Sequence, residues 1–263
     1  MDLAESGHKV VEIDKRHPWE LARLEVIKRV LRELPELRGG DVVLDVGCGD
    51  SFVLDQLAPL YPGVSFYGID PAFDEQLLRT FTRTLRMDNV RLFRTLEEAA
   101  ANIGEKKAAL VLLMDVIEHI EDEVAFLKYL RVSPLVGPAT RYIISVPAFG
   151  FLFSTHDVLL GHYRRYSNRT LERRLNEAGL KPQLICYFFS SLLLPRLAQV
   201  AVEKLLRVGA GRATQVAKWQ GGKALQALIK SILVWDFRLS RALIRMGVKL
   251  PGLSNLAVCT APA

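Results

Sequence analysis

The stretch Val42-Val43-Leu44-Asp45-Val46-Gly47-Cys48-Gly49-Asp50-Ser51 constrains the fold most, because an apolar run ends there in two glycines one residue apart and gives way to helix-compatible sequence. The order is strand, tight turn, helix. Glycines in such a turn let a ligand approach bare backbone, and the helix N-terminus offers it N–H groups. The next apolar run, Val64 to Ile69, ends in Asp70-Pro71, and Asp70 lies 21 residues after Gly49. An acid at that position can take both hydroxyls of a ribose.

A nicotinamide dinucleotide and S-adenosylmethionine (SAM) are both compatible with these two features. The dinucleotide fingerprint has a third glycine for close helix-to-strand packing, and here that position is Phe52. The order Asp45-Val46-Gly47-Cys48-Gly49 resembles motif I of the class I SAM-dependent methyltransferases. The resemblance covers residues 40 to 185 well and implies SAM as cofactor. It implies that Gly47, Cys48 and Gly49 line the methionine part with backbone, that Asp45 steadies the turn, and that Asp70, with Pro71 beside it, holds the ribose. An N-terminal helix over 18–37 would cover the cofactor, with Arg23, one turn from Trp19, reaching the methionine carboxylate. The sequence departs from the pattern at Phe93-Arg94-Thr95, where many relatives have an acid for the adenine amine.

Strand and helix signals alternate along the rest of the chain. Helices are expected at Phe73 to Arg86, Leu96 to Ile103 and Glu121 to Leu130, and strands at Val90 to Phe93, Ala108 to Met114 and Arg141 to Val146. Ser167 caps a helix stopped by Gly179, and a sixth strand runs from Leu184 to Phe189. Short connections between such units mean an α/β fold with a doubly wound, mostly parallel sheet. In the methyltransferase (Rossmann-like) fold, the last run, Asn255 to Thr260, is a seventh strand inserted antiparallel beside the sixth. Residues 1–189 and 253–263 then form the SAM-binding domain, and 190–252 is a helical insert or lid.

Two constellations can carry chemistry. The fourth strand runs into Met114-Asp115-Val116-Ile117-Glu118-His119, similar to the acidic turn that closes this strand in the family, which places Asp115 near the cofactor. Asp115, Glu118 and His119 share one face of a helical turn, where a divalent metal can bind, as a comparable turn in some ubiquinone-pathway O-methyltransferases suggests. The favoured reading assigns no metal and has Glu118 and His119 tie the turn down by hydrogen bonds. After the fifth strand come Ser154-Thr155-His156-Asp157 and Gly161-His162-Tyr163-Arg164-Arg165-Tyr166, a pattern that resembles bacterial methyltransferases classed with quinone biosynthesis. His156 is the candidate catalytic base toward an acceptor hydroxyl, with Asp157 orienting it, and Arg164 or Arg165 would meet a phosphate or carboxylate.

Charge separates the insert from the rest. Of the formal +6, residues 190 to 250 hold 11 Lys or Arg against Glu203 and Asp236, a local +9, which leaves −3 elsewhere. A basic and also apolar segment points to an anionic membrane surface or acidic lipid, and no nucleic acid is expected. At about 100° per residue, Lys223, Lys230, Arg238, Arg241 and Arg245 fall within roughly 80° of a helix, opposite Leu225, Leu228, Ile232, Trp235, Leu239, Leu243 and Met246. Three scattered cysteines, an N-terminus without an apolar core and the lack of a long apolar run imply a cytoplasmic protein, peripheral at a membrane. The function expected is O-methylation of an amphiphilic or lipid-linked small molecule. The alternatives are a catalytically silent SAM- or lipid-binding protein and, opposed by Phe52, a nicotinamide dehydrogenase.

Overall fold

The computed structural model describes residues 13–205 and 219–261; the N-terminal stretch 1–12 and three of the insert's cations, Arg207, Arg212 and Lys218, lie outside the described residues. Every side chain of β1 (Val42–Val46) is buried, as are nearly all those of β2 (Ser65–Ile69) and β4 (Leu110–Met114). Strands so apolar fit a parallel sheet covered on both faces. With β3 (Val90–Phe93), β5 (Arg141–Pro147), β6 (Lys181–Phe188) and β7 (Ser254–Thr260) they form one seven-stranded sheet in the order β3-β2-β1-β4-β5-β7-β6. All pairs are parallel except β5 with β7 and β6 with β7.

The antiparallel strand has a topological cause. The segment between β6 and β7 leaves and re-enters at the same edge of the sheet, so β7 must run back down between β5 and β6. Strand order reverses between β1 and β4, which opens a crevice at their C-terminal ends.

One face is covered by α1 (Pro18–Glu33), α2 (Phe52–Leu57), α3 (Glu75–Thr84) and the long helix of the insert, α9 (Lys223–Arg245), while the insert's other helix, α8 (Leu193–Leu205), packs beside residues 150–152 in the loop beyond β5. The other is covered by α4 (Leu96–Ile103), α5 (Glu123–Val132) and α7 (Asn168–Glu177), while the short α6 (Thr155–Leu159) sits in the loop beyond β5. The helix expected over 18–37 ends at Glu33. Leu34 precedes Pro35 and is extended, with ψ 162°, because the proline ring disfavours a helical residue before it.

The insert shares the core of the sheet, since Leu233 and Phe237 of α9 pack in one cluster with Phe188, Ile27 and Val30. The buried positions of α9 are Gln226, Leu233, Phe237 and Ser240, a stripe between the expected basic and apolar faces. That leaves Leu225, Leu228, Ile232, Trp235, Leu239 and Met246 exposed, Trp235 by 66%. Of the basic arc, Arg241 turns inward to pair with Glu33 at 2.5 Å, and Lys223 pairs with Asp14 at 2.5 Å.

Candidate active site

Four residues other than glycine have positive φ among those described: Ser51, Asp115, Phe149 and Phe189. They follow β1, β4, β5 and β6, all at the C-terminal edge. Such conformations cost energy and gather where surrounding structure fixes a functional geometry. The glycine turn is equally constrained. Gly47 has φ +75°, and a Cβ there would stand 2.6 Å from Val116. The N–H groups of Gly47 and Cys48 donate to the Ile69 carbonyl at 2.7 and 3.3 Å.

The acid that holds this turn is Asp70, not Asp45. Asp70 accepts from the N–H of Gly49 at 2.8 Å and of Ala72 at 2.9 Å. Asp45 is buried in β1, its Oδ1 without a hydrogen-bond partner among the described residues. Burial, reinforced by the charges of Asp70 and Asp50, pushes its carboxyl up to about 7. Burial raises the Cys48 thiol as well, so only its backbone is suited to meeting a ligand.

Phe52 has a partner that local sequence could not reveal. The buried Arg16 lies over its ring at 3.7 Å and pairs with Asp50, tying the segment before α1 to the turn. Gln226 of α9 holds that segment in place, donating to the carbonyls of Ile13, Asp14 and Arg16, the last at 2.7 Å. On α1 itself, Arg23 lies over Trp19 at 4.4 Å and pairs with Asp115. Asp115 also accepts from Ser145 Oγ at 2.9 Å.

A cavity of about 610 Å³ opens at the strand ends. Trp19, Arg23, Gly47, Asp70, Pro71 and Asp115 line one end, and Glu118, His119, His156, His162, Arg165 and Arg196 the other; Cys48 and Gly49, expected at the cofactor, are not among the lining residues. Apolar residues complete the lining, among them Met114, Phe126, Leu160, Phe189 and Leu192.

Asp157 does not orient His156. The two are neighbours on α6, where successive side chains diverge by about 100°. Asp157 instead meets His162 Nδ1 at 2.9 Å and Arg165 Nε at 2.7 Å through Oδ1, and the Ser154 N–H at 2.9 Å and Arg196 at 3.4 Å through Oδ2. Burial alone would push its carboxyl up, but the His162 hydrogen bond and the Arg165 charge override this and hold it well below the usual carboxylate range. Burial and the nearby Arg196 lower the His156 imidazole, which is therefore neutral at neutral pH. Of the paired arginines only Arg165 faces the cavity. Arg164 points away to Glu123 and the Glu121 carbonyl.

The expected tie of the fourth-strand turn by Glu118 is also corrected. Its carboxyl is fully buried, and neither oxygen has a hydrogen-bond partner among the described residues; burial and Asp115 push it well above the ordinary carboxylate value. The turn is tied through backbone, with the Tyr163 N–H donating to the Glu118 carbonyl at 2.8 Å.

Comparison with known proteins agrees with this geometry. The methyltransferase domain family matches residues 19–184. Among solved structures, a methyltransferase from Bacillus halodurans C-125 is 16% identical with a TM-score of 0.52, over 93% of this chain and 99% of that one. Phosphoethanolamine N-methyltransferase 2 of Haemonchus contortus, in complex with SAM, is 15% identical with a TM-score of 0.52; the match covers 91% of this chain but 53% of that one, about half its length. A geranyl diphosphate methyltransferase in complex with SAM is 14% identical with a TM-score of 0.55, over 92% and 85% of the two chains. A search of curated proteins finds no match.

Proposed function

The chain belongs to the methyltransferase domain family and is a SAM-dependent methyltransferase, and from that premise we propose that it methylates an oxygen of an amphiphilic, lipid-linked small molecule, as its likeness to ubiquinone-pathway O-methyltransferases implies. Residues 1–189 with 253–263 form the catalytic unit and 190–252 its lid. In this reading the backbone of Gly47, Cys48 and Gly49 carries the methionine part of SAM, Asp70 and Pro71 the ribose, and Arg23 with Asp115 the amino-acid end. The sulfonium is already a good leaving group, so the protein's main task is alignment.

The observation that carries the oxygen acceptor is His156, a neutral imidazole facing the same cavity as Gly47 and Asp70. A neutral imidazole can take a hydroxyl proton as the oxygen forms its bond to the methyl carbon and the S–C electron pair stays on sulfur. The SAM-bound neighbours are named for different acceptors, so the fold alone does not select the acceptor atom. The test is an acceptor screen with methyl-labelled SAM. His156→Ala is expected to lose about 10²–10⁴-fold in turnover, the usual contribution of a general base, while keeping SAM affinity. Full activity in that variant removes His156 from the chemistry.

The amphiphilic acceptor is supported by the apolar cavity wall and by the exposed apolar row of α9, a helix on which Arg238 and Arg245 are also exposed. No helix among the described residues is long and apolar enough to cross a membrane. The row fits peripheral contact, in which apolar side chains enter the interface while cations meet anionic headgroups. Anionic vesicles should hold the protein at low salt and release it as salt rises, with neutral vesicles holding it weakly. Indifference to both vesicle types would leave α9 as a plain lid helix.

A further inference from the structure

The cavity wall around His156 holds more positive charge than its own residues balance. Arg165 comes from the loop after α6 and Arg196 from α8 of the insert, and both line the cavity. They grip the two oxygens of one carboxylate, Arg165 Nε on Asp157 Oδ1 at 2.7 Å and Arg196 Nη2 on Oδ2 at 3.4 Å. The two arginine side chains are 6% and 10% exposed, and the carboxylate is shut off from water. Two buried cations therefore share one buried anion.

Neighbouring acids do not make up the difference. Burial and Asp115 raise the Glu118 carboxyl and keep it uncharged, while Asp115 is itself paired with Arg23. Glu203 of α8 is partly exposed, where solvent screens its charge, and it accepts from the Thr155 N–H at 2.8 Å. His156 and His162 add no negative charge in either protonation state. Burial and the Arg165 charge lower the pKa of Arg196, as a like charge held close requires. Donors are left over as well. Arg165 spends Nη1 on the Ala148 carbonyl at 3.3 Å, and Arg196 spends Nη1 on Gln199 Oε1 at 3.0 Å and Nη2 on Ser154 Oγ at 2.7 Å. Nη2 of Arg165 and Nε of Arg196 have no hydrogen-bond partner among the described residues.

We propose that the methyl acceptor carries an oxyanion, a carboxylate or a phosphoryl group, besides the oxygen that takes the methyl, and that Arg165 and Arg196 bind it. Guanidinium forks fixed in advance by Asp157, Ser154 and Gln199 suit such a group, and a buried surplus of cations is relieved by an anionic guest. Leu160, Phe189 and Leu192 line the same cavity, so the anion belongs to a molecule with an apolar body. The sequence places one guanidinium here. The second comes from the insert, which makes α8 the source of a specificity-determining residue and not only a cover. A neutral or cationic analogue leaves the charge unbalanced and is disfavoured. The role in methyl transfer rests on reading this cavity as the acceptor site; anion binding itself does not.

The test uses the full chain and three eight-carbon probes that differ in the head group, octyl phosphate, octanoate and octanol, titrated by calorimetry below their micelle concentrations. SAM affinity is measured on the same samples. One anionic probe per chain is expected to bind at least tenfold more tightly than octanol, and whichever of the two binds better tells phosphoryl from carboxylate. Arg196→Gln should weaken that binding at least tenfold with SAM affinity kept, whereas Arg238→Gln, on the exposed side of α9, should leave it unchanged. Octanol binding as tightly as both anions overturns the proposal, as does no binding of either anion at millimolar concentration, or a loss in Arg238→Gln with none in Arg196→Gln. If Arg196→Gln does not fold, the crystal structure of the wild-type complex with the tighter anion decides, and a head group out of hydrogen-bonding reach of both Arg165 and Arg196 overturns the site. SAM binding without anion binding defeats this inference alone. Anion binding by a protein whose acceptor screen yields no O-methyl product defeats the oxygen-acceptor reading and leaves the anion site standing.

Discussion

Asp45 and Asp157 are both buried at the C-terminal edge of the same sheet, and their surroundings treat them in opposite ways. Asp45 is shut away from water with Asp70 and Asp50 nearby, and burial first, then those two charges, push its carboxyl up to about 7. Around Asp157 stand His162, Arg165 and Arg196, and its carboxyl is held far down. The first end holds a buried carboxyl, Asp45, whose Oδ1 has no hydrogen-bond partner among the described residues. At the second, Asp157 is paired among the protein's own side chains before any ligand arrives. SAM carries a sulfonium and an ammonium against one carboxylate, a net positive charge, so the first end suits a cationic guest and the second a preformed reaction wall.

Replacing the charge at the paired end tests this contrast most severely. Asp157→Asn leaves two arginines and a histidine around a neutral amide, and breaking a buried pair in this way costs roughly 3–5 kcal/mol. Urea unfolding at neutral pH measures it. A loss under 1 kcal/mol would mean that Asp157 is not the group that holds Arg165, His162 and Arg196 together.

The unpaired end should respond to pH instead. Below about pH 4 Asp45 is protonated in both folded and unfolded chains; its unfolded value is about 3.9 and its folded value is raised to about 7. Between these values the folded chain holds a proton that the unfolded chain has released, so stability falls as pH rises and levels off above about 7. At roughly 1.4 kcal/mol per pH unit, the contribution is ~4 kcal/mol at most. Asp45→Asn should flatten this part of the stability–pH curve of the SAM-free protein. An unchanged slope would show that Asp45 is ionised in the fold and that the two ends differ less than the geometry implies.

Legibility in the sequence follows the range of the interactions. The strand–turn–helix at 42–57 and the acid after β2 are local patterns, and the sheet they imply is the one observed. The helix end at Glu33 was also legible, through Pro35, but apolar spacing up to Leu37 masked it. Asp157 and His156 are adjacent and invite pairing, yet the partner is His162, five residues on, reached because Gly161 takes a left-handed φ of +73°. Arg16 with Asp50 and Arg196 with Asp157 each join segments more than 30 residues apart, and no spacing rule links them. The faces of α9 failed for another reason. A helix wheel sorts residues by type, but the fold buried the stripe that holds Gln226, Leu233, Phe237 and Ser240.

The smallest effect concerns how the insert touches both ends. Its α8 latches the paired end through Arg196, which donates to Ser154 Oγ at 2.7 Å, and through Glu203, which accepts from the Thr155 N–H at 2.8 Å. Its α9 holds the cofactor end through Gln226, whose buried amide serves three carbonyls of the segment carrying Arg16. Gln226→Leu keeps the volume and apolar packing but leaves those carbonyls without their donor. The segment 13–16 should then loosen over the glycine turn, because Arg16 reaches Asp50 and Phe52 only while that backbone is held. Exchanging one such hydrogen-bonding group costs about 0.5–1.5 kcal/mol, which appears as a fall in SAM affinity of roughly 2- to 13-fold. The acceptor KM should not move, since Arg16 pairs with Asp50 and Glu20 and not with the Asp157 group. Calorimetric titration of SAM together with steady-state kinetics separates the two. A shift in acceptor KM equal to the shift in SAM affinity would show that α9 acts on the whole cavity at once and that the two ends are not independently held.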